Sequence, residues 1–209
     1  MENCIAEKSW HVIFIILITT IVIGTGIVVR NAINQRSQST RNIPTLTEKP
    51  AQQFSKKQKN HFIDQIATPA MQLYQKNREI LPSVVIAQAI LESQFGTSLL
   101  YKTANNLFGV KGTYQGQSVT FYTREVENGK SIKVQAQFRK YPSLRAALID
   151  HNQLVARKFI KHKNIMSYRT STSLLQENGY ATDPHYASKL DHLIVKYHLS
   201  QYDLRAINE

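Results

Sequence analysis

The stretch Pro82–Ser98, PSVVIAQAILESQFGTS, decides how the chain is read. A proline suits the first position of a helix, where a missing N–H costs nothing. From Val84 to Leu91 every residue is apolar except Gln88, and the next polar residue, Glu92, stands four places further on. That spacing puts Gln88 and Glu92 on one face of a helix too apolar to lie in water. A carboxyl group packed at the end of such a helix is poorly solvated, which disfavours its charged form and raises its pKa. A raised pKa is what a general acid needs at neutral pH, so Glu92 is the candidate acid. The plainer reading is a glutamate that pairs with a lysine or caps the loop at Gly96, and it fits a solvated face better than this one.

Working outward, Phe62, Ile66, Ala70, Leu73 and Tyr74 recur at helical spacing and predict a helix within Phe54–Asn77. On the other side, Gly96–Gly116 is punctuated by Gly and Asn and reads as a loop. The period then changes from 3.6 to 2: Ile132, Val134, Ala136 and Phe138 alternate, and Asn128-Gly129 is a two-residue hairpin turn joining them to Val119–Glu127. After Pro142, helical spacing returns through Leu144, Ala147, Leu148, His151, Leu154 and Val155, and again through Tyr186, Leu190, Leu193, Ile194 and Tyr197. The predicted class is α+β: a mainly helical body with one small antiparallel hairpin.

The N-terminal part has a different character. Val12–Val29, VIFIILITTIVIGTGIVV, is 18 residues without a charge, and as a helix it spans roughly 27 Å, about the hydrocarbon thickness of a bilayer. It is longer than a signal-peptide core and no A-x-A site follows, so an uncleaved transmembrane anchor is expected. Asn31–Gln53 is rich in Ser, Thr, Asn, Gln and Pro and reads as a flexible tether. The expected organisation is therefore a short segment at 1–11, an anchor at 12–29, a linker at 30–53 and a catalytic domain at 54–209. Lys8 precedes the span while Arg30, Arg36 and Arg41 follow it, so the positive-inside rule taken alone puts the body in the cytoplasm. The opposite, extracytoplasmic assignment rests on inferred function.

Residues 54–209 hold 21 Lys and Arg against 11 Asp and Glu. Such an excess expects a polyanionic partner: nucleic acid, an anionic wall polymer or an acidic membrane surface all satisfy it, as does a merely solvated surface. Basic and aromatic residues form no recognisable nucleic-acid motif. Cys4 is the only cysteine, which excludes an intramolecular disulfide and a cysteine-built metal site. The seven histidines form no H-x-x-x-H or H-E-x-x-H pattern, and neither a G-x-S-x-G elbow nor a phosphate loop occurs. His151, His162 and His185 read as structural or surface residues, and no metal or cofactor is expected.

An ordinary glycosidase needs a second carboxylate. The predicted hairpin offers Glu125 and Glu127, which alternate onto one strand face with Phe121 and Thr123. Glu127 sits at the turn, and Glu125, one pleat deeper, is the better candidate.

Four strings occur in order: AQAILESQFGTS (Ala87–Ser98), NNLFGVKG (Asn105–Gly112), FRKY (Phe138–Tyr141) and NGYATDPHYASKL (Asn178–Leu190). Together they resemble glycoside hydrolase family 73, the bacterial cell-wall endo-β-N-acetylglucosaminidases, over about residues 58–203. The resemblance implies a lysozyme-like helical scaffold with a β-lobe. It also implies hydrolysis of the β-1,4 bond between N-acetylglucosamine and N-acetylmuramic acid in peptidoglycan. No nucleic-acid partner is expected, and a monomer is the default expectation. The glutamate of the family's ILES motif falls on Glu92 as general acid. Thr123-Arg124-Glu125 resembles its T-x-E pattern and supports Glu125 as base, and the tyrosine of its GYAT motif falls on Tyr180. Gln88, Phe95, Asn106, Phe108, Tyr122, Thr182, Asp183 and Tyr186 are then expected to bind substrate. One departure is Phe95, where the family usually has a tryptophan: an aromatic face is kept and an indole N–H lost. Two rivals to hydrolysis are a lytic transglycosylase, which leaves an anhydro sugar, and a noncatalytic wall-binding module.

Overall fold

The computed structural model describes residues 43–46, 53–127 and 130–208, with backbone alone at 124–127, 130 and 131. Two units are distinguished, Met1–Pro44 and Thr45–Glu209; only Ile43 and Pro44 of the first are described. The expected span Val12–Val29, residues 1–11 and most of the linker lie outside the described residues. Among the described residues no helix is long and apolar enough to cross a membrane.

The second unit is mainly helical with a two-stranded antiparallel sheet. Helix α1, Lys56–Asn77, starts at a capping box: the Ser55 hydroxyl accepts from the Gln58 N–H (3.2 Å) and the Gln58 amide oxygen from the Ser55 N–H (2.9 Å). It carries Pro69 in its interior and buries Phe62, Ile63, Ile66, Ala67, Ala70, Leu73 and Tyr74. Helix α2, Pro82–Ser93, begins at the proline, as its sequence requires, and every residue but Leu91 and Glu92 is buried. No side chain of its own caps it; instead Asp203 accepts the Ser83 N–H at 2.7 Å, from 120 residues away.

Around α2 pack α1 and three later helices, α5 (Tyr168–Glu177), α6 (Tyr186–Lys196) and α7 (Ser200–Asn208). Each of its buried Val and Ile side chains contributes about 1.5–3 kcal/mol. The helix that ends in Glu92 is thus the axis of the core. It stops abruptly: Gln94, Phe95 and Gly96 all take positive φ, at 51°, 54° and 74°. Two of those three are not glycine, and strain of that kind, about 1–3 kcal/mol per residue, persists only where packing enforces it.

The predicted loop Gly96–Gly116 needs correction, since it contains a short helix, α3, Leu99–Ala104. The Ser98 hydroxyl accepts the Tyr101 N–H (3.2 Å), and Leu100 and Ala104, four apart, are both buried. They join Phe121 and Phe138 of the hairpin in a second, smaller cluster.

Strands β1, Ser118–Glu127, and β2, Lys130–Arg139, pair antiparallel, with Phe121 opposite Ala136 and Glu125 opposite Ile132. The ladder runs to the Glu127–Lys130 pair, and the predicted Asn128-Gly129 turn lies outside the described residues. Thr45 bridges to Tyr122 along the outer edge of β1, where the Leu46 N–H donates to the Tyr122 carbonyl at 2.7 Å. Helix α4, Leu144–Val155, runs into a π-helical turn, Ala156–Ile160, a feature that recurs near functional sites. Helices α5 and α7 and the π turn go beyond what periodicity alone located.

Candidate active site

Glu92 occupies the last turn of α2, half-buried, with its carboxyl facing α6. The Tyr186 hydroxyl donates to Glu92 Oε1 at 3.0 Å and accepts from Gln88 Nε2 at 3.2 Å. The two polar residues that shared a helix face are therefore bridged by one tyrosine from 94 residues away. Burial pushes the Glu92 carboxyl above its ordinary value, and the Tyr186 hydrogen bond, which favours the carboxylate, offsets part of that rise. Burial is the larger effect, so Glu92 holds its proton to higher pH than a free glutamate does.

Tyr180 stacks on Tyr186, centroids 5.3 Å apart, and takes the edge of Phe159 at 5.1 Å. Phe159 lies in the π turn, so that local change of helix period brings its ring to the site. The Tyr180 hydroxyl sits 3.2 Å from His151 Nε2. Burial, reinforced by the nearby Glu92 charge, pushes that hydroxyl well above 10, and it stays protonated. Below it, Phe108 stacks on the fully buried His151 ring at 3.6 Å. Glu92, Gln88, Tyr186 and Tyr180 thus meet at one place, backed by Phe108 and His151.

A half-buried acid beside two protonated tyrosines does not by itself name a substrate, and sequence relationship narrows the choice. The profile of the glucosaminidases, described as mannosyl-glycoprotein endo-beta-N-acetylglucosaminidase, matches residues 68–199. The chain belongs to the glucosaminidase family.

Within that family the chain is 46% identical over 149 residues to the exo-glucosaminidase LytG of Bacillus subtilis, covering 68% of this chain and 52% of that protein. A probable N-acetylmuramidase of Lactococcus lactis is 38% identical over 152 residues, covering 68% of this chain and 34% of its own length. The catalytic domain of the autolysin Auto from Listeria monocytogenes superposes with a TM-score of 0.63 at 39% identity, covering 81% of this chain and 96% of that domain. The chain spans about half or less of the curated relatives' length, whereas the solved autolysin catalytic domain is matched almost whole. The lysozyme-like helical scaffold with a small β-lobe is accordingly this chain's fold.

The other expected site residues are placed differently. Asn106 is buried, and both its amide hydrogens are committed, to the Val110 carbonyl (2.9 Å) and the Arg139 carbonyl (2.8 Å), while its oxygen accepts the Val110 N–H. It ties the NNLFGVKG loop to the end of β2. Phe95 packs among Phe54, Phe62 and Tyr197, at 5.3, 5.8 and 5.5 Å, in an aromatic group separate from the hydrogen bonds at Glu92. Asp183 is ion-paired with Lys189 and accepts the His185 N–H at 2.9 Å; those contacts, Lys189 foremost, hold it below the usual carboxylate range. Thr182 is exposed beside it. Tyr122 lies on β1, half-buried, with the Lys133 ammonium over its ring at 4.5 Å. Glu125 stands in β1 opposite Ile132, and its side chain lies outside the described residues.

His151 is the residue whose place at the site was not anticipated. Its position on the apolar face of α4, in step with Leu144, Ala147 and Leu148, was the available signal, because a buried imidazole must find a partner. The FRKY string also has a plain structural use. The Arg139 guanidinium and the Tyr141 hydroxyl both donate to Asp150 Oδ2, each at 2.6 Å, fastening the base of the hairpin to α4. Among the described residues no group of three or more His, Cys, Asp and Glu is placed to hold a metal ion.

Proposed function

We propose that this chain hydrolyses the β-1,4 bond on the reducing side of N-acetylglucosamine in bacterial peptidoglycan, with Glu92 as general acid. The observation that carries the reading is the Glu92 carboxyl itself: burial at the end of α2 raises its pKa, and Tyr186 fixes its direction. Glu92 gives its proton to the glycosidic oxygen as the bond to the anomeric carbon breaks, and water supplies the new hydroxyl. Glu125, on the hairpin, takes the water's proton and gives inversion, for which the two carboxyls stand about 6.5–9.5 Å apart with substrate bound. Where Glu125 stays farther away, the substrate's own acetamido oxygen attacks instead, and Glu92 keeps its role. The excess of Lys and Arg suits an anionic wall. The apolar run Val12–Val29 anchors the domain on the outer face of the membrane, the tether lets it reach the glycan, and it acts as a monomer.

A second reading is cleavage on the other side of the same disaccharide, favoured by the relatives named probable N-acetylmuramidase. Mass spectrometry of borohydride-reduced fragments separates the two. Reduced N-acetylglucosamine ends support the proposal, reduced N-acetylmuramic acid ends support the second reading, anhydro ends indicate a transglycosylase, and no fragments indicate a binding module.

A further inference from the structure

The proposed reaction uses Glu92, directed by Tyr186, and leaves His151 without a task. Yet its surroundings are highly specified. The ring is completely buried, pressed flat on Phe108 at 3.6 Å and 14°, with each nitrogen facing one polar group. Nδ1 faces Asn152 Oδ1 at 3.4 Å and Nε2 faces the Tyr180 hydroxyl at 3.2 Å. An amide carbonyl only accepts, so the ring hydrogen belongs on Nδ1 and Nε2 is the bare, accepting nitrogen. The Tyr180 O–H, whose oxygen also has the Tyr186 hydroxyl as a hydrogen-bond neighbour, then donates to Nε2. Burial holds the imidazole at about 4, so it is neutral in ordinary conditions; Asp150, the nearby acid, is occupied by Arg139 and Tyr141.

Resting on the proposed function, we propose that His151 is a positioning residue: by taking the phenolic hydrogen of Tyr180, it makes that tyrosine present oxygen lone pairs to the sugar beside Glu92. A tyrosine so held accepts a hydrogen bond from the substrate instead of giving one. The fitting substrate group is an N–H, as in the 2-acetamido group of N-acetylglucosamine. Accepting that N–H raises the electron density of the acetamido carbonyl oxygen and fixes the group's orientation at the reacting carbon.

The test is a double-mutant cycle on the full chain acting on purified peptidoglycan. His151→Phe keeps a ring against Phe108 but removes the acceptor, and should lower kcat about tenfold, the size of one hydrogen bond, with KM within twofold. His151→Gln, whose carbonyl can accept in place of Nε2, should recover most of that loss. In a Tyr180→Phe background, His151→Phe should cost nothing further. An equal loss in that background overturns the proposal in favour of simple packing, as does an unchanged kcat in the single variant. The tautomer is read without any activity, from long-range 1H–15N correlations of the histidine-labelled full chain. Hydrogen on Nδ1, with Nε2 shifting in Tyr180→Phe, supports the proposal. Hydrogen on Nε2 overturns it, whatever the enzyme cleaves, so its failure is distinct from failure of the hydrolase reading.

Discussion

Replacing Tyr186 by phenylalanine isolates the contact that tunes Glu92. The hydroxyl donates to Glu92 Oε1 at 3.0 Å and so stabilises the carboxylate, while burial raises the pKa. A hydrogen bond to a charged group is worth about 1.5–3 kcal/mol, which at about 1.4 kcal/mol per unit is a change of roughly one to two pH units. With the donor gone only the raising effect remains, so Glu92 should keep its proton to still higher pH. The alkaline limb of kcat/KM, which reports the free enzyme's essential acid, should move up by one to two units. Tyr180 and Tyr186 are themselves held above their ordinary values and do not obscure that limb. Gln88 Nε2 also loses its acceptor, so stability should fall by about 1–3 kcal/mol in urea titration. A limb that stays in place, or moves toward acid, refutes the assignment of Tyr186 as the group that lowers the Glu92 pKa.

Two further outcomes concern the scaffold. Burial raises Asp203, the cap on α2, to about 6, against about 3.8 for a free carboxyl. Between those values the folded state holds the extra proton, so the contribution of Asp203 is complete below about pH 4 and is lost as pH rises through 6, a change of about 3 kcal/mol. His151, lowered to about 4, works in the opposite sense, its contribution present above about pH 6.5 and lost as pH falls through 4. Between about pH 4 and 6 the two nearly cancel in the parent, so in denaturant titrations Asp203→Asn should gain stability as pH rises across that range; a profile as flat as the parent's contradicts the buried-cap account. Gly96→Ala places a methyl 2.8 Å from the buried Phe62 ring at φ +74°. Strain and clash together should cost about 2–4 kcal/mol and lower Tm by roughly 10 °C in calorimetry, and a Tm within 2 °C of the parent contradicts that packing.

Periodicity revealed most of the core because burial leaves a local trace. The 82–98 stretch identified its own helix and the shared face of Gln88 and Glu92, since both follow from spacing within four residues. Alternation likewise located both strands. Short α3 escaped because Leu99–Ala104 is six residues among Gly and Asn, too few for a repeat to show. What spacing could not reveal is which side chain meets which across the fold. Tyr186 was expected near substrate from its motif, yet its bridging of Gln88 and Glu92 depends on how α6 crosses α2. The placement of His151 against Tyr180 depends on α4 and the π turn together. Asn106 and the FRKY residues show the converse: a family motif also preserves backbone clamps and an ion pair, so membership of a motif does not assign contact with the sugar.

The central claim is that Glu92 donates the proton that breaks the glycosidic bond. Its most direct test is the turnover of purified peptidoglycan by Glu92→Gln beside the parent chain, with Tm and wall binding measured on both. Glutamine has nearly the same shape and can still accept from Tyr186, but it has no acidic proton. Turnover should fall by about 10²–10⁴-fold while Tm and binding stay close to the parent's. Turnover within tenfold of the parent would contradict the claim and move the acid to another residue.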